Sequence, residues 1–387
     1  MLLVLFSLFP SLSFAQNNSW MAASSDGFTP RSSLTCSTVN GKIYAIGGST
    51  GTTFLNTLEV FDPITNSWTT PITTGSFSIL EGHTACVFDS KIYVIGGDGS
   101  HVLSIFDPAT NNWTTPTTTG HFTNRGGLTS ALYNGKIYTF GGNQGDIGIT
   151  NLQEIFDPST NSWSTPVTTG TFTPRTNLCS AVINNKIYVL GGQDTNRILN
   201  TLEVFDPVTN IWTTPQTTGT FTARWGFGCG VINGKIYVFG GSFAHDHTEV
   251  FDPVTNVWST VNTTGAFTDR GNFGYDTVNG KIYTMGGSES GQGAVNINEV
   301  FTASLSVSPA NSDSANIVIH PNPTTENISL QNLPENTINI QITNVLGQTI
   351  AEFNPSANLD LTRFQAGVYY VKIITSNSII TQKIIKE

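Results

Sequence analysis

Along most of the chain, apolar residues come in short runs broken by Gly, Asn, Asp-Pro and Thr-rich stretches. Runs of that length, bounded by turn formers, predict strands rather than helices. The string Lys-Ile-Tyr-x-x-Gly-Gly occurs six times, with Gly pairs at 47–48, 96–97, 141–142, 191–192, 240–241 and 286–287. The interval is 45 to 50 residues. A second string, Phe-Asp-Pro-x-Thr-Asn-x-Trp, follows five of the six, starting at Phe61, Phe106, Phe156, Phe205 and Phe251. Self-similarity at this period signals a repeat architecture.

Each unit predicts four strands. The first, a run such as Ser180-Ala181-Val182-Ile183, ends at a two-residue turn: Asn-Gly at 40–41, 134–135, 233–234 and 279–280, with Asp89-Ser90 and Asn184-Asn185 as substitutes. A tight hairpin turn of this kind needs positive φ at both residues, which Asn and Gly tolerate. The second strand, Ile-Tyr-Val-Ile or a variant, is apolar on both faces, so both need cover from neighbouring sheets. The third is Glu-Val-Phe or similar. An Asp-Pro-x-Thr-Asn turn, held by side-chain-to-backbone bonds, leads to a fourth strand beginning at Trp.

A four-stranded sheet covered on both faces and repeated six times is satisfied by a ring of blades. The ends fit. The sixth repeat stops at Glu299-Val300-Phe301 without its Asp-Pro and Trp, while Asn18-Ser19-Trp20 matches Asn66-Ser67-Trp68. The N-terminal segment is therefore expected to supply the fourth strand of the last blade and remove the open edge. Six of the seven Trp are then repeat residues, each contributing about 2–3 kcal/mol on burial. The expected fold is all-β: a six-bladed propeller closed by an N-terminal strand, then a small β-sandwich.

Composition narrows the function classes. Only 11% of the 387 residues are charged, 38% are hydrophobic, and the net charge is −10. A charged coiled coil and a disordered acidic chain are excluded. No clustered basic residues point to nucleic acid.

The Gly pair, the Phe-Asp-Pro and the Trp at fixed offsets resemble the Kelch repeat family, with six blades over residues 16–303. The resemblance implies a propeller whose known uses include protein binding, sugar-handling enzymes such as a mutarotase, and a copper oxidase. From residue 316 the pattern changes. His320-Pro321-Asn322-Pro323-Thr324, Asn344-Val345-Leu346-Gly347-Gln348, Leu359-Asp360-Leu361, Ala366-Gly367-Val368-Tyr369 and the final Lys383-Ile384-Ile385-Lys386 are similar to the type A C-terminal sorting domain of the type IX secretion system of Bacteroidota. That resemblance implies the type IX machinery as a partner and a secreted or outer-membrane cell-surface destination, reached through the periplasm. Residues 1–15 read as a signal peptide, too short to span a bilayer and ending in Ser13-Phe14-Ala15. No other apolar run is long enough to cross a membrane. Residues 304–315 read as a linker, in which Asp313-Ser314-Ala315 fits an O-glycosylation string.

Candidate chemistry sits on the face formed by the loops into the first strand and between the second and third. At the start of the first strand stand Arg31, Leu80, Arg125, Arg175, Arg224 and Arg270. Two readings stay open: loop caps, or a cationic rim suited to a carboxylate or acidic sugar. The repeated Glu59, Glu154, Glu203, Glu249 and Glu299 share one third-strand position. Repetition at blade period favours a structural role over acid–base work.

Loops between the second and third strands are short in blades 2 and 5, which face each other across a six-bladed ring, so a groove is expected there. These blades carry His83, His101, His245 and His247, together with Glu81 and the non-repeat Trp225. An indole beside Arg224 suits a pyranose face, and a packing role for it is equally open. His245-Asp246-His247 is a weak metal candidate, and no cofactor is expected. Cys36, Cys86, Cys179 and Cys229 fall on first strands as two pairs, each 50 residues apart. Neighbouring first strands are expected to hold them too far apart to bridge, leaving buried free thiols. The reading is a secreted or cell-surface binding module for a glycan or protein ligand. The alternatives are a mutarotase-like enzyme using Arg, His and Glu at the channel mouth, and a structural surface-layer component.

Overall fold

The computed structural model describes residues 18–78, 81–97, 103–241, 247–304, 317–333, 337–344, 349–356, 358–375 and 379–387. The expected leader, Leu80, His101, His245, Asp246 and residues 305–315 of the expected linker lie outside them. The chain divides into two compact units, Met1–Leu305 and Ser306–Glu387.

Among the described residues of the first unit, six four-stranded antiparallel sheets repeat one meander. In blade 1 the strands are Thr35–Val39, Lys42–Ile46, Leu58–Asp62 and Ser67–Thr69. The turns behave as their residues dictate: Asn40 and Gly41 have φ of 50° and 76°, and the substitutes Asp89, Ser90, Asn184 and Asn185 are also positive. The apolar second strand is buried along its core positions; Ile43, Ala45 and Ile46 are fully covered by the sheets on either side.

The innermost strands contact each other in cyclic order: Thr35–Val39, Thr84–Phe88, Thr129–Tyr133, Cys179–Ile183, Gly228–Ile232, Gly274–Val278 and back to the first. The sixth sheet takes its outer strand from the other end of the chain. Ser19–Ala23 pairs with Asn298–Thr302, Trp20 opposite Phe301, as Trp68 stands opposite Phe61 in blade 1. Trp20 is 4% exposed. The Thr-Thr-Gly segment after each of the first five blades bridges the outer strand of the next blade, at Thr74–Asn112, Thr119–Ser162, Thr169–Ile211, Thr218–Val257 and Thr264–Ser19. Glycine is needed there, because a side chain at Gly75 would collide with the Trp113 carbonyl.

In the second unit, Val318–His320, Asn327–Gln331 and Asn358–Asp360 form one sheet. Thr349–Phe353, Thr337–Thr343, Gly367–Thr375 and Ile379–Lys386 form another. Ile328, Leu330, Ile340, Ile342, Leu359, Val371 and Ile384 make one shared core. This is a small sandwich of sheet on sheet.

Candidate ligand site at the channel mouth

The five repeated arginines do not form a rim. Arg31, Arg125, Arg175, Arg224 and Arg270 are at most 2% exposed, and each pairs with the repeated glutamate of its own blade: Glu59, Glu154, Glu203, Glu249 and Glu299. The local sequence explains the arrangement. In Phe172-Thr173-Pro174-Arg175, the guanidinium folds back to donate to the Thr173 carbonyl at 3.0 Å and to the Gly191 carbonyl of the Gly pair at 3.0 Å. Glu203 in turn accepts from the Thr173 backbone N–H and hydroxyl. In three blades the preceding Phe lies beneath the guanidinium, as in Arg270 over Phe267 at 4.4 Å.

Burial pulls each Arg below its ordinary pKa, and the paired carboxylate pushes it back. The cationic-rim expectation is corrected on this ground: the charges are desolvated and neutralised inside each blade. The sequence held a signal for the pairing. Blade 2 lacks both partners at once, with Leu80 for Arg and Ser104 for Glu.

Two residues after each Arg position the chain takes a left-handed conformation at Ser33, Gly82, Gly127, Asn177, Gly226 and Asn272. Their backbones close a circle. Ser33 N–H donates to Asn272, Gly82 to Ser33, Gly127 to Gly82, Asn177 to Gly127, Gly226 to Asn177 and Asn272 to Gly226, at 2.6–3.2 Å. All six bonds run in the same sense. The circle rims a cavity of about 560 Å³ lined by the innermost strands. Asp276 sits in that wall, accepting from the Thr38 and Thr277 backbones, and burial holds its carboxyl above the usual range.

A second recess of about 250 Å³ lies against the same circle, lined by Glu81, Trp225, Asn143, Asn177, Gln193 and Asn272 with Ser33 and Thr176. Glu81 and Trp225 occupy the same repeat position in blades 2 and 5. The other blades carry Ser32, Gly126, Thr176 and Gly271 there, and their backbones bridge to Ser49, Asn143, Gln193 and Ser288. The structure thus joins the half-buried Glu81 and Trp225 in one recess and leaves Arg224 behind the latter.

His83 lines the larger cavity but is 6% exposed; its Nε2–H donates to the Ile46 carbonyl at 3.1 Å, and burial lowers its pKa to about 4. Among the described residues, His83 is thus turned into the wall and the repeated Arg and Glu are paired with each other inside their blades, while Glu81 stands at the mouth. His247 is 3.2 Å from the Thr222 hydroxyl. Among the described residues, no three His, Cys, Asp or Glu side chains gather as a metal site. The amides Asn143, Asn177, Gln193 and Asn272 were missed by sequence reasoning. Their signal was position: Asn177 and Asn272 stand where three other blades have Gly and one has Ser33.

Fold and site together define a closed six-bladed propeller with an asymmetric polar mouth. The chain belongs to the Kelch-repeat family: residues 82–287 match the KLHDC2/KLHL20/DRC7 Kelch-repeats domain, and residues 30–70 match the Kelch motif. Residues 318–387 match the secretion system C-terminal sorting domain. Over 63 residues the chain is 36% identical to the Rho GTPase-activating protein gacHH of Dictyostelium discoideum, a match covering 16% of this chain and 4% of that protein. The Kelch repeats mark a protein-binding type of module, and the sorting domain marks type IX export to the exterior or the cell surface. No helix among the described residues is long and apolar enough to cross a membrane.

Proposed function

We propose that this exported propeller binds a glycan at its channel mouth, between Trp225 and Glu81. One observation carries the reading: the two large non-repeat side chains, on opposing blades, line one recess with four primary amides. An indole covers the apolar face of a pyranose, and planar amides and a carboxylate match pairs of sugar hydroxyls. A peptide ligand would want further apolar anchors, and Trp225 is the single large apolar side chain in that lining.

In this reading residues 1–15 are removed as a leader, residues 16–303 bind, residues 304–315 link, and residues 316–387 address the chain to the type IX machinery. Deletion of residues 312–387 then traps the protein in the periplasm; normal secretion of the truncation defeats the sorting role.

The binding test is a glycan-array screen of the full chain beside Trp225→Ala and Glu81→Gln. The expected outcome is binding that Trp225→Ala weakens at least about tenfold, the scale of a lost stacking contact. Binding indifferent to both substitutions moves the site away from the mouth. An empty array overturns the glycan reading and turns the search to protein partners.

A further inference from the structure

All four cysteines are buried free thiols, yet the two pairs differ in direction. Successive residues of an innermost strand face opposite neighbours. The first residue faces the following blade and the second faces the preceding one. The hydroxyls show it: Thr84 meets Ser130 at 2.7 Å and Thr129 meets Ser180 at 2.8 Å, each a first residue against the next blade's second.

Cys179 is the first residue of its strand and Cys229 the second of the next. They occupy the positions at which the two preceding interfaces bring side-chain oxygens into contact. Cys229 Sγ lies 3.4 Å from the Ser180 carbonyl, and Cys179 Sγ lies 3.7 Å from the carbonyl of Phe227 at the entry to the next strand, so each thiol rests on the other's blade. Cys36 and Cys86 have the same sequence separation but diverge. Cys36 faces back to Gly274, and Cys86 faces forward to Ser130 at 3.2 Å. The register therefore turns the thiols of Cys179 and Cys229 towards each other's blade and those of Cys36 and Cys86 apart, while all four remain free.

We propose that Cys179 and Cys229 form a redox-active pair that closes a disulfide between blades 4 and 5 by exchange with a small-molecule disulfide. Cys229 lines the 560 Å³ cavity and Cys179 is fully buried. The Cys229 thiolate attacks the incoming disulfide, its S–S bond breaks, and one small thiolate leaves with the Cys229 proton. Cys179, whose Sγ is 2.8 Å from the Tyr275 hydroxyl, then displaces the second small thiol and closes the protein bond. Two protein thiols are oxidised and one small disulfide is reduced to two thiols. Type IX export takes the chain out of the reducing cytoplasm to surroundings in which such a bond persists. Burial raises the Cys229 thiol above its ordinary range, so exchange is slow near neutrality and speeds about tenfold per pH unit as the thiolate fraction grows.

The test uses the full reduced chain, incubated with hydroxyethyl disulfide at mildly alkaline pH, then denatured and alkylated. Two of the four thiols are expected to resist alkylation, with one cross-linked peptide joining positions 179 and 229, reversed by dithiothreitol. Tm should rise on the order of 5 °C, as a loop of this length is closed. Cys179→Ser should stop at a mixed disulfide on Cys229. Should that variant fail to fold, the wild-type peptide map still decides. Four alkylatable thiols after prolonged incubation, or a linkage between any other pair, overturns the proposal.

Discussion

Five blades hold their entry loop with a buried arginine, and blade 2 does not. In the five, one guanidinium joins the loop carbonyl, the Gly-pair carbonyl and a glutamate that itself caps the loop. In blade 2 the glutamate position is Ser104, fully buried, while Lys91–Ile95 and Leu103–Asp107 pair as their counterparts do elsewhere. The ion pair is thus not what makes a blade. What matters is that the partners come and go together. A buried pair roughly breaks even against an uncharged alternative, whereas one buried charge without its partner is costly.

The largest test of this contrast is Arg175→Ala, which leaves Glu203 buried without its cation, held only by the Thr173 donors. We expect a loss of about 3–5 kcal/mol in urea unfolding. Arg175→Leu combined with Glu203→Ser copies blade 2 and should recover most of it. A double variant as unstable as the single would show that charge is not what separates the blades.

Next comes His83, beside the uncharged position. Its folded pKa of about 4 lies below the usual value of 6.5. The unfolded chain therefore binds the proton first as pH falls. Stability from this group is present above about pH 6.5 and is lost progressively towards pH 4, by up to about 3 kcal/mol. His83→Phe should flatten that part of the profile relative to wild type. Parallel profiles for the two proteins would remove His83 as the cause.

The smallest effect is expected outside. Lys136 and Asp157 pair at 3.0 Å on the surface, with the lysine half-exposed, and equivalent pairs recur in blades 1, 2, 4 and 5. Lys136→Ala should leave Tm unchanged within error. A drop like that of Arg175→Ala would mean that burial is not what gives the inner pairs their weight.

The repeat period carried the blades, the turn chemistry and the closure by Trp20, because each depends on spacing alone. The direction of a side chain does not. Arg and Glu stand some 28 residues apart and meet only through the fold, although their joint absence from blade 2 was visible. The cysteines were legible by separation but not by register. Cys179 and Cys229 differ from Cys36 and Cys86 by one step along the strand, and one step reverses the face. Trp225 and Glu81 were found as departures from the repeat, whereas the amides around them looked like ordinary turn residues.

The circle of six backbone bonds has no first member. Every blade gives it one donor and one acceptor, so the circle does not record where the polypeptide begins. Ser304 N–H already donates to the Asn18 side chain at 2.8 Å, bringing the two ends of the propeller unit together. Topologically, that unit is a loop of six interchangeable links that happens to be cut within one of them. A chain opened between blades 3 and 4 and joined across residues 304 and 18 would thread the same circle. Gaining or losing a whole blade would instead force the circle to re-form at another radius.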